Sequence, residues 1–413
     1  MFQNVGAQAY KPGLERVLTL SSHFGNPHKG IKTIHVAGTN GKGSVSSLLA
    51  SVLQESGQKT ALFTSPHLVD FRERIRIDGR MISKEAVIDF IERFKSLNTS
   101  VEPSFFELTT VMAFDWFAKN NVDIAVIEVG LGGRLDSTNI ITPLQSIITN
   151  ISLDHTALLG DTPEHIAREK AGIIKPGVPV VIGNANKDVE RVFVSTAKEA
   201  GAEIVFAQNQ SPFSSVIRQS DKLIFKDTVW GDIESPLTGD CQLENAATVL
   251  TALSKGPFKF DEIAVRNGFK NVCLNTGLTG RWTTLRQKPT VVCDTGHNPG
   301  GWEWLGPQLK KISQEKRLHI VAGFVNDKDI SSILSMMPTE ASFYWATPSV
   351  KRGLNAQITR ERALSYGLNG KAFQHVSSAY NSAISEASEN DFIFVGGSNF
   401  VVADLLSAIN QRQ

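Results

Sequence analysis

Cysteine is scarce in this chain: Cys241, Cys273 and Cys293 are the only three in 413 residues, and no CxxC pair occurs. So odd and widely spaced a set argues against a disulfide framework and fits reduced thiols in the cytoplasm. No apolar run approaches the ~18 residues that a membrane span needs. Met1 to Gly13 lacks the basic-then-apolar pattern of a secretory signal. A charge excess is missing too. Lys and Arg total 42 against 41 Asp and Glu, a net charge of +1, which argues against coating nucleic acid or an anionic membrane but leaves room for a local polyanion pocket. Internal repeats, low-complexity tracts and a recognisable Ser-His-Asp or Cys-His set are all absent. What is present, 41% apolar and 20% charged residues, is the balance of a globular protein with buried cores. The length suggests two or three domains at ~150 residues each.

Ile31 to Ala37, interrupted by Thr33 and His35, predicts a strand. It runs into Gly38-Thr39-Asn40-Gly41-Lys42-Gly43-Ser44. Beyond that loop Val45, Leu48, Leu49, Val52 and Leu53 share one helical face, and Gly57 stands where a C-cap would. Lys59 to Thr64 supplies the next strand of a βαβ opening. Ser104 and Glu107 form a capping-box pattern ahead of an apolar helix, Phe105 to Lys119. Asp123 to Val129 reads as a buried parallel strand with its charge at the C-terminal end. Ser146 to Ile151 is another, ending before Asp154 and His155, and Thr162-Pro163 opens a short helix that Gly172 closes. A helical stretch covers Leu243 to Leu253. Periodicity fades from Gly277 to Lys288, which divides the chain into domains 1–284 and 285–413. Afterwards Thr290–Cys293, Leu318–Phe324, Phe343–Ala346 and Phe392–Val395 read as strands between helical patterns, the last helix running from Val401 to Ile409. The fold class is α/β, with a parallel-rich sheet followed by a smaller sheet covered on both faces.

A strand feeding a glycine-rich turn into a helix makes an anion site: backbone N–H groups and the helix N-terminus face the ligand, and Lys42 adds a full charge. The loop departs from GxxxxGK[ST], because Val36 stands five before Gly41 and Gly43 separates Lys42 from Ser44. A plain turn is the alternative. Glu128 ends an otherwise apolar strand, where an ionised carboxylate needs a partner. A magnesium ion bridging phosphate oxygens would serve, and so would an ion pair with Arg134. Ligands gather at the carboxyl ends of strands in open α/β sheets. Ser65-Pro66-His67-Leu68 and His155 therefore either face one crevice or are a turn and a structural histidine. Gly130 to Ser137 either wraps a ligand or simply connects. In the second domain Asp294-Thr295-Gly296-His297-Asn298-Pro299 marks a strand-tip crevice or an Asn-Pro turn. Arg281 offers a nucleotide a fork of donors, and Gly396-Gly397-Ser398-Asn399 either holds a carboxylate or enters a helix.

Taken together, HVAGTNGKGS (His35–Ser44), TSPHLVDFRERI (Thr64–Ile75), IEVGLGGRLDSTN (Ile127–Asn139), SLDHT (Ser152–Thr156) and REKAGI (Arg168–Ile173) resemble the folylpolyglutamate synthase/dihydrofolate synthase family of the Mur ligase superfamily. The resemblance runs from about Tyr10 to the last helix. It implies a P-loop-containing, Mur-ligase-like central domain that binds ATP and pteroate, then a Rossmann-like C-terminal glutamate-ligase domain. ATP would lie on Gly38, Thr39, Asn40, Gly41, Lys42, Gly43 and Ser44, with Asn245, Arg281 and Asp294 also at the nucleotide. Magnesium would be held by Ser65, Glu128 and His155. Lys42, Glu128, His155 and Lys170 form the implied catalytic set. Lys170 matches a lysine carbamylated in relatives, and an unmodified lysine is the alternative. Phe105, Phe106, Glu107, Leu135, Asp136 and Ser137 correspond to the pteroate-binding surface, with Tyr10 to Pro12 closing over it, and His297 and Ser398 to the glutamate side.

The implied activity is ATP-dependent addition of L-glutamate to dihydropteroate, to folates, or to both, through an acyl phosphate that needs positioning and charge neutralisation more than a protein nucleophile. The implied partners are these small molecules alone, with no nucleic acid and no membrane, on a cytoplasmic monomer. Two departures from the family pattern stand out. Gly296 replaces a usual Ala before His297 in a stretch one residue shorter, and Ser137 replaces a common Ala, bearing on substrate preference. Two rival readings remain. One is a cell-wall Mur ligase acting on a UDP-sugar peptide. The other is a nucleotide switch, for which Asn186-Lys187-Asp188-Val189 approaches N-K-x-D but lacks its final Asp.

Overall fold

Where aliphatic and β-branched residues run together in the first 278 residues, the chain extends and pairs. Strands β1 (Thr33–Ala37), β2 (Thr60–Phe63), β3 (Ile75–Ile77), β4 (Arg80–Met81), β5 (Ile124–Glu128), β6 (Gln145–Ile148), β7 (Val180–Ile182) and β8 (Ile204–Phe206) form one sheet in the order β4-β3-β2-β5-β1-β6-β7-β8. The run from β2 to β8 is parallel, and β3 and β4 join its edge antiparallel. Every residue of β1, β2, β5 and β6 is buried. Burial on both faces explains why these strands read as continuous apolar runs rather than alternating ones. The structure, a computed structural model, describes residues 11–326, 328 and 330–410; Tyr10, expected at the pteroate surface, lies outside them.

The helix after the glycine-rich loop spans Lys42–Glu55 and is buried from Gly43 through Leu53. It has no solvent face because a second helix, Glu262–Lys270, lies against it. There a Cβ on Gly268 would come within 2.5 Å of the Val52 side chain, and Ser51 Oγ donates to the Gly268 carbonyl at 2.6 Å. Phe105–Lys119 is helical between its expected ends. Its capping box is formed: Ser104 Oγ accepts the Glu107 N–H at 3.2 Å and Glu107 Oε2 accepts the Ser104 N–H at 2.6 Å. Thr162 caps Pro163–Ala171, and Gly172 closes it.

Sequence periodicity missed a three-stranded antiparallel sheet of β9 (Ser215–Arg218), β10 (Leu223–Thr228) and β11 (Gly231–Ser235). Its strands are short, and three inward side chains, Leu223, Phe225 and Ile233, carry its packing into the core.

The division between the two compact units falls between Leu278 and Thr279, inside the stretch where periodicity fades. The second unit holds β12 (Thr283–Gln287), β13 (Thr290–Cys293), β14 (Leu318–Ala322), β15 (Ser342–Ala346), β16 (Gly370–Phe373) and β17 (Phe392–Gly396), ordered β12-β13-β17-β14-β15-β16. All pairs are parallel except β12 with β13. No helix of the described residues is long and apolar enough to cross a membrane.

Candidate active site

Four loops leave the carboxyl ends of four adjacent strands, β2, β5, β1 and β6. Because β5 and β6 flank β1, the chain turns to opposite sides there, which opens a crevice at the strand tips. Register brings the tips level: Val36 of β1 lies beside Glu128 of β5, and Ala37 beside Ile148 of β6.

The loop after β1 is held from several sides. Thr39 N–H donates to the Asn150 carbonyl at 2.9 Å, Asn40 N–H to Asn150 Oδ1 at 3.0 Å, and Thr149 Oγ1 to the Asn40 carbonyl at 2.5 Å. Gly41 has φ +83°, and a Cβ there would lie 2.2 Å from Asn245 Oδ1, so this position requires glycine. Asn245 Nδ2 donates to Gln242 Oε1 at 3.0 Å, and Gln242 Nε2 donates to Ser44 Oγ at 3.3 Å. Gln242 went unnoticed in sequence reading, although it stands one helical turn before Asn245.

Two lysines share the Gly38 carbonyl: Lys42 Nζ at 3.0 Å and Lys170 Nζ at 2.9 Å. Lys42 also donates to the Thr39 carbonyl at 3.0 Å. Lys170 is 4% exposed. Burial first, and the Lys42 charge second, push its pKa down to about 7. Two lysine amines meet on one carbonyl, and the Lys42 charge there favours an incoming polyanion.

On the other side of β1, the buried Glu128 accepts the Ser65 N–H through Oε2 at 2.9 Å. Arg134, the alternative partner, instead forms an ion pair with Glu169 at 2.7 Å. Among the described residues no group of three or more His, Cys, Asp or Glu could hold a metal by itself. Glu128 with the adjoining Ser65 hydroxyl is an oxygen donor set suited to magnesium, which keeps several water or phosphate ligands and uses one or two carboxylates. His155 takes φ +51° at the head of the turn Thr156–Leu159, with Nε2 3.9 Å from Asp154 Oδ1.

The residues assigned to pteroate behave in two ways. Phe105 stands edge-on to Phe71, with ring centroids 5.7 Å apart, and Phe106 packs 5.8 Å from Phe63. Phe106 also lies so near Gly130 that a Cβ there would come within 2.4 Å of the ring. Glu107 is 1% exposed, with Oε2 in the capping box and Oε1 accepting Arg16 Nε at 3.1 Å, so it places the neighbouring rings. Asp136 is buried too: Oδ1 accepts Thr138 N–H and Thr138 Oγ1, and Oδ2 accepts the Leu131 N–H at 2.8 Å. That carboxylate staples its own loop, between the half-buried Leu135 and the buried Ser137.

In the second unit, Asp294 ends β13. Its oxygens accept the Trp282 and Gly296 N–H groups, both at 2.7 Å, while burial raises its pKa against the opposing charge of Arg281. His297 Nδ1 lies 3.0 Å from the Thr295 carbonyl, and Asn298 caps the helix Pro299–Glu315. Ser398 follows the neighbouring strand β17 and accepts the Val401 N–H at 3.3 Å, so it serves as a helix entry. The near-match to the guanine signature has a structural role: Asn186 caps the helix Lys187–Glu199.

Residues 36–253 match the Mur ligase middle domain and residues 280–399 the Mur ligase glutamate ligase domain, which makes this protein a Mur ligase. Within that class the chain belongs to the dihydrofolate synthase/folylpolyglutamate synthase family. It is 31% identical over 412 residues to the Escherichia coli dihydrofolate synthase/folylpolyglutamate synthase, covering 100% of this chain and 94% of that one. A probable bifunctional folylpolyglutamate synthase/dihydropteroate synthase of Haloferax volcanii is 33% identical over 95% of this chain, which spans about half (48%) of that longer protein. The solved E. coli FolC in complex with DHPP and ADP superposes with a TM-score of 0.87 at 31% identity, over 100% of this chain and 96% of that one. A bifunctional folylpolyglutamate synthase/dihydrofolate synthase with Mn, AMPPNP and L-glutamate bound gives a TM-score of 0.83 at 30% identity, over 97% and 95%.

Proposed function

We propose that this protein joins L-glutamate to the carboxyl group of dihydropteroate, of a folate, or of both, driven by ATP. The observation that carries the reading is the crevice at the tips of β2, β5, β1 and β6. There a glycine-rich loop with two lysines on one carbonyl stands beside the buried Glu128–Ser65 pair. Support also comes from relatives whose structures hold ADP, or AMPPNP with Mn and L-glutamate.

In this scheme the loop Gly38–Ser44 takes the nucleotide phosphates, with Asn245 beside it and with Arg281 and Asp294 as further nucleotide contacts. Lys42 neutralises the charge that builds on the transferring group. Ser65, Glu128 and His155 would hold the divalent ion, which when bound supplies Lewis-acid neutralisation of phosphate oxygens. One oxygen of the acceptor carboxylate attacks the γ-phosphorus as the bond to the bridging oxygen breaks, and ADP leaves with that electron pair. The α-amine of glutamate, steered by His297 and Ser398, then attacks the acyl carbon. The C–O bond breaks, and the departing phosphate takes up the proton released from nitrogen. Phe105, Phe106, Leu135 and Ser137 line the pteroate side, positioned by Glu107 and Asp136. Lys170 has the chemistry that carbamylation requires, because an amine with a pKa of about 7 is substantially neutral near pH 7.

The deciding experiment incubates the protein with MgATP, labelled glutamate and either dihydropteroate or tetrahydrofolate, and resolves products by mass. Products heavier by one glutamate, with phosphate released only when both co-substrates are present, are expected. Nucleotide hydrolysis independent of glutamate would overturn the reading in favour of a switch. Turnover of a UDP-sugar peptide alone would favour a cell-wall ligase.

A further inference from the structure

Arg74, within the TSPHLVDFRERI stretch, carries its charge into a largely buried position. It ends the 3₁₀ turn Phe71–Arg74, and its carbonyl accepts the Thr64 N–H at 3.0 Å, which ties it to the tip of β2. The side chain is 4% exposed. Its Nε donates to His67 Nδ1 at 2.8 Å, and its guanidinium carbon lies 5.5 Å from the centre of the Phe105 ring. An arginine Nε can only donate, so His67 Nδ1 is the acceptor in this bond. Among the described residues neither terminal amine of Arg74 has a hydrogen-bond acceptor. Glu128 acts on it only as a nearby charge that favours the guanidinium against burial.

The terminal amines of Arg74 are not among the fully buried, unpaired polar atoms, so within a residue that is 4% exposed they keep access to solvent and stand open to an incoming acceptor. Such a fork is suited to a carboxylate, whose two oxygens match the spacing of the two amines. Its surroundings suggest which anion. The nucleotide loop has a cation of its own, Lys42, on the Gly38 carbonyl. Arg74 instead sits at the end of β2, two strands along from β1, in an aromatic group made by Phe71, Phe105 and His67. A flat aromatic acid fits that group, with its ring against the aromatic side chains and its acid end on the fork.

We propose that Arg74 is the receptor for the reacting carboxylate of the acceptor substrate. This deepens, and rests on, the reading of the protein as an acid–amino-acid ligase. The two terminal amines hold the carboxylate oxygens while one of them forms its bond to the γ-phosphorus. They then hold the remaining acyl oxygen until glutamate displaces phosphate. Arg74 neither gains nor loses a proton in either step.

The test is equilibrium binding of dihydropteroate and of its neutral carboxamide to the wild-type protein, Arg74→Lys and Arg74→Met, with ADP binding measured in parallel. Wild type should prefer the acid by about 10- to 100-fold, the range for hydrogen bonds to charged groups. Arg74→Met should reduce that preference to about 2-fold or less, and Arg74→Lys, which keeps the charge but not the fork, should fall between. ADP affinity should stay within about 2-fold of wild type, which also reports that each variant folds. An acid preference unchanged in the variants overturns the proposal. So does weakened ADP binding with the acid preference intact, which would give the guanidinium to the nucleotide. Equal wild-type affinity for acid and amide overturns it without any variant. If wild type binds ADP but neither pteroate compound, the substrate reading itself fails and takes this proposal with it.

Discussion

Replacing Lys170 by methionine keeps the length of a buried side chain and removes its ionisable end. In the native protein that end is pressed between burial and the Lys42 charge, and its pKa falls from 10.5 to about 7. The folded state therefore disfavours the cation while the unfolded chain accepts it freely. Between about pH 7 and pH 10 the unfolded state binds more protons, so stability rises with pH. The penalty is fully present below pH 7 and is relieved as pH climbs towards the unfolded value. One proton difference is worth about 1.4 kcal/mol per pH unit. With the folded group half-titrated at pH 7, wild type should gain about 2 kcal/mol relative to Lys170→Met between pH 7 and pH 9. The measurement is urea unfolding of both proteins in buffer free of carbon dioxide, which keeps the amine unmodified, read by labelling of peptides from the first unit so that the second does not blur the transition. Parallel pH dependences for the two proteins would refute the reasoning, because they would mean that the amine titrates alike folded and unfolded.

Gly41→Ala places a methyl group 2.2 Å from Asn245 Oδ1 at φ +83°, so calorimetry should show ADP affinity reduced at least ~10-fold, from strain of about 1–3 kcal/mol. In the proposed scheme the Lys42 charge acts chiefly on the transferring phosphate, so Lys42→Met should lower turnover by roughly 100-fold or more while the melting temperature changes little; initial rates at saturating ATP test this. Ser104→Ala removes a cap bonded at 3.2 Å and should cost about 1 kcal/mol of stability. That loss would appear in thermal melts, and ADP binding should be unchanged.

The glycine-rich loop, the strand before it and the helix after it were legible because each is a local decision. So was the Phe105–Lys119 helix, whose capping box closes within four residues. The strand Thr290–Cys293 was legible as an uninterrupted β-prone run. The small antiparallel sheet of β9, β10 and β11 was not, because its strands are short and the apolar, partly exposed Ile224 stands between the inward Leu223 and Phe225, which masks the alternation. Within the site, the residue types declared an anion pocket but not its wiring. Charge pairing by type left Arg134 open to Glu128, while the fold gives it Glu169. Asp136 looked like a ligand contact, and its oxygens hold the loop's own N–H groups.

The amino-acid order by itself determined where helices cap, which runs extend and which glycine-rich loop feeds a helix, because those depend on neighbours a few residues apart. Only the tertiary structure decided that Lys170 would share a carbonyl with Lys42 across a separation of 132 residues. It also decided that Glu128, Ser65 and Arg74 would gather at the tips of adjoining strands. Strand order and burial set those meetings, and both follow from packing the whole sheet at once.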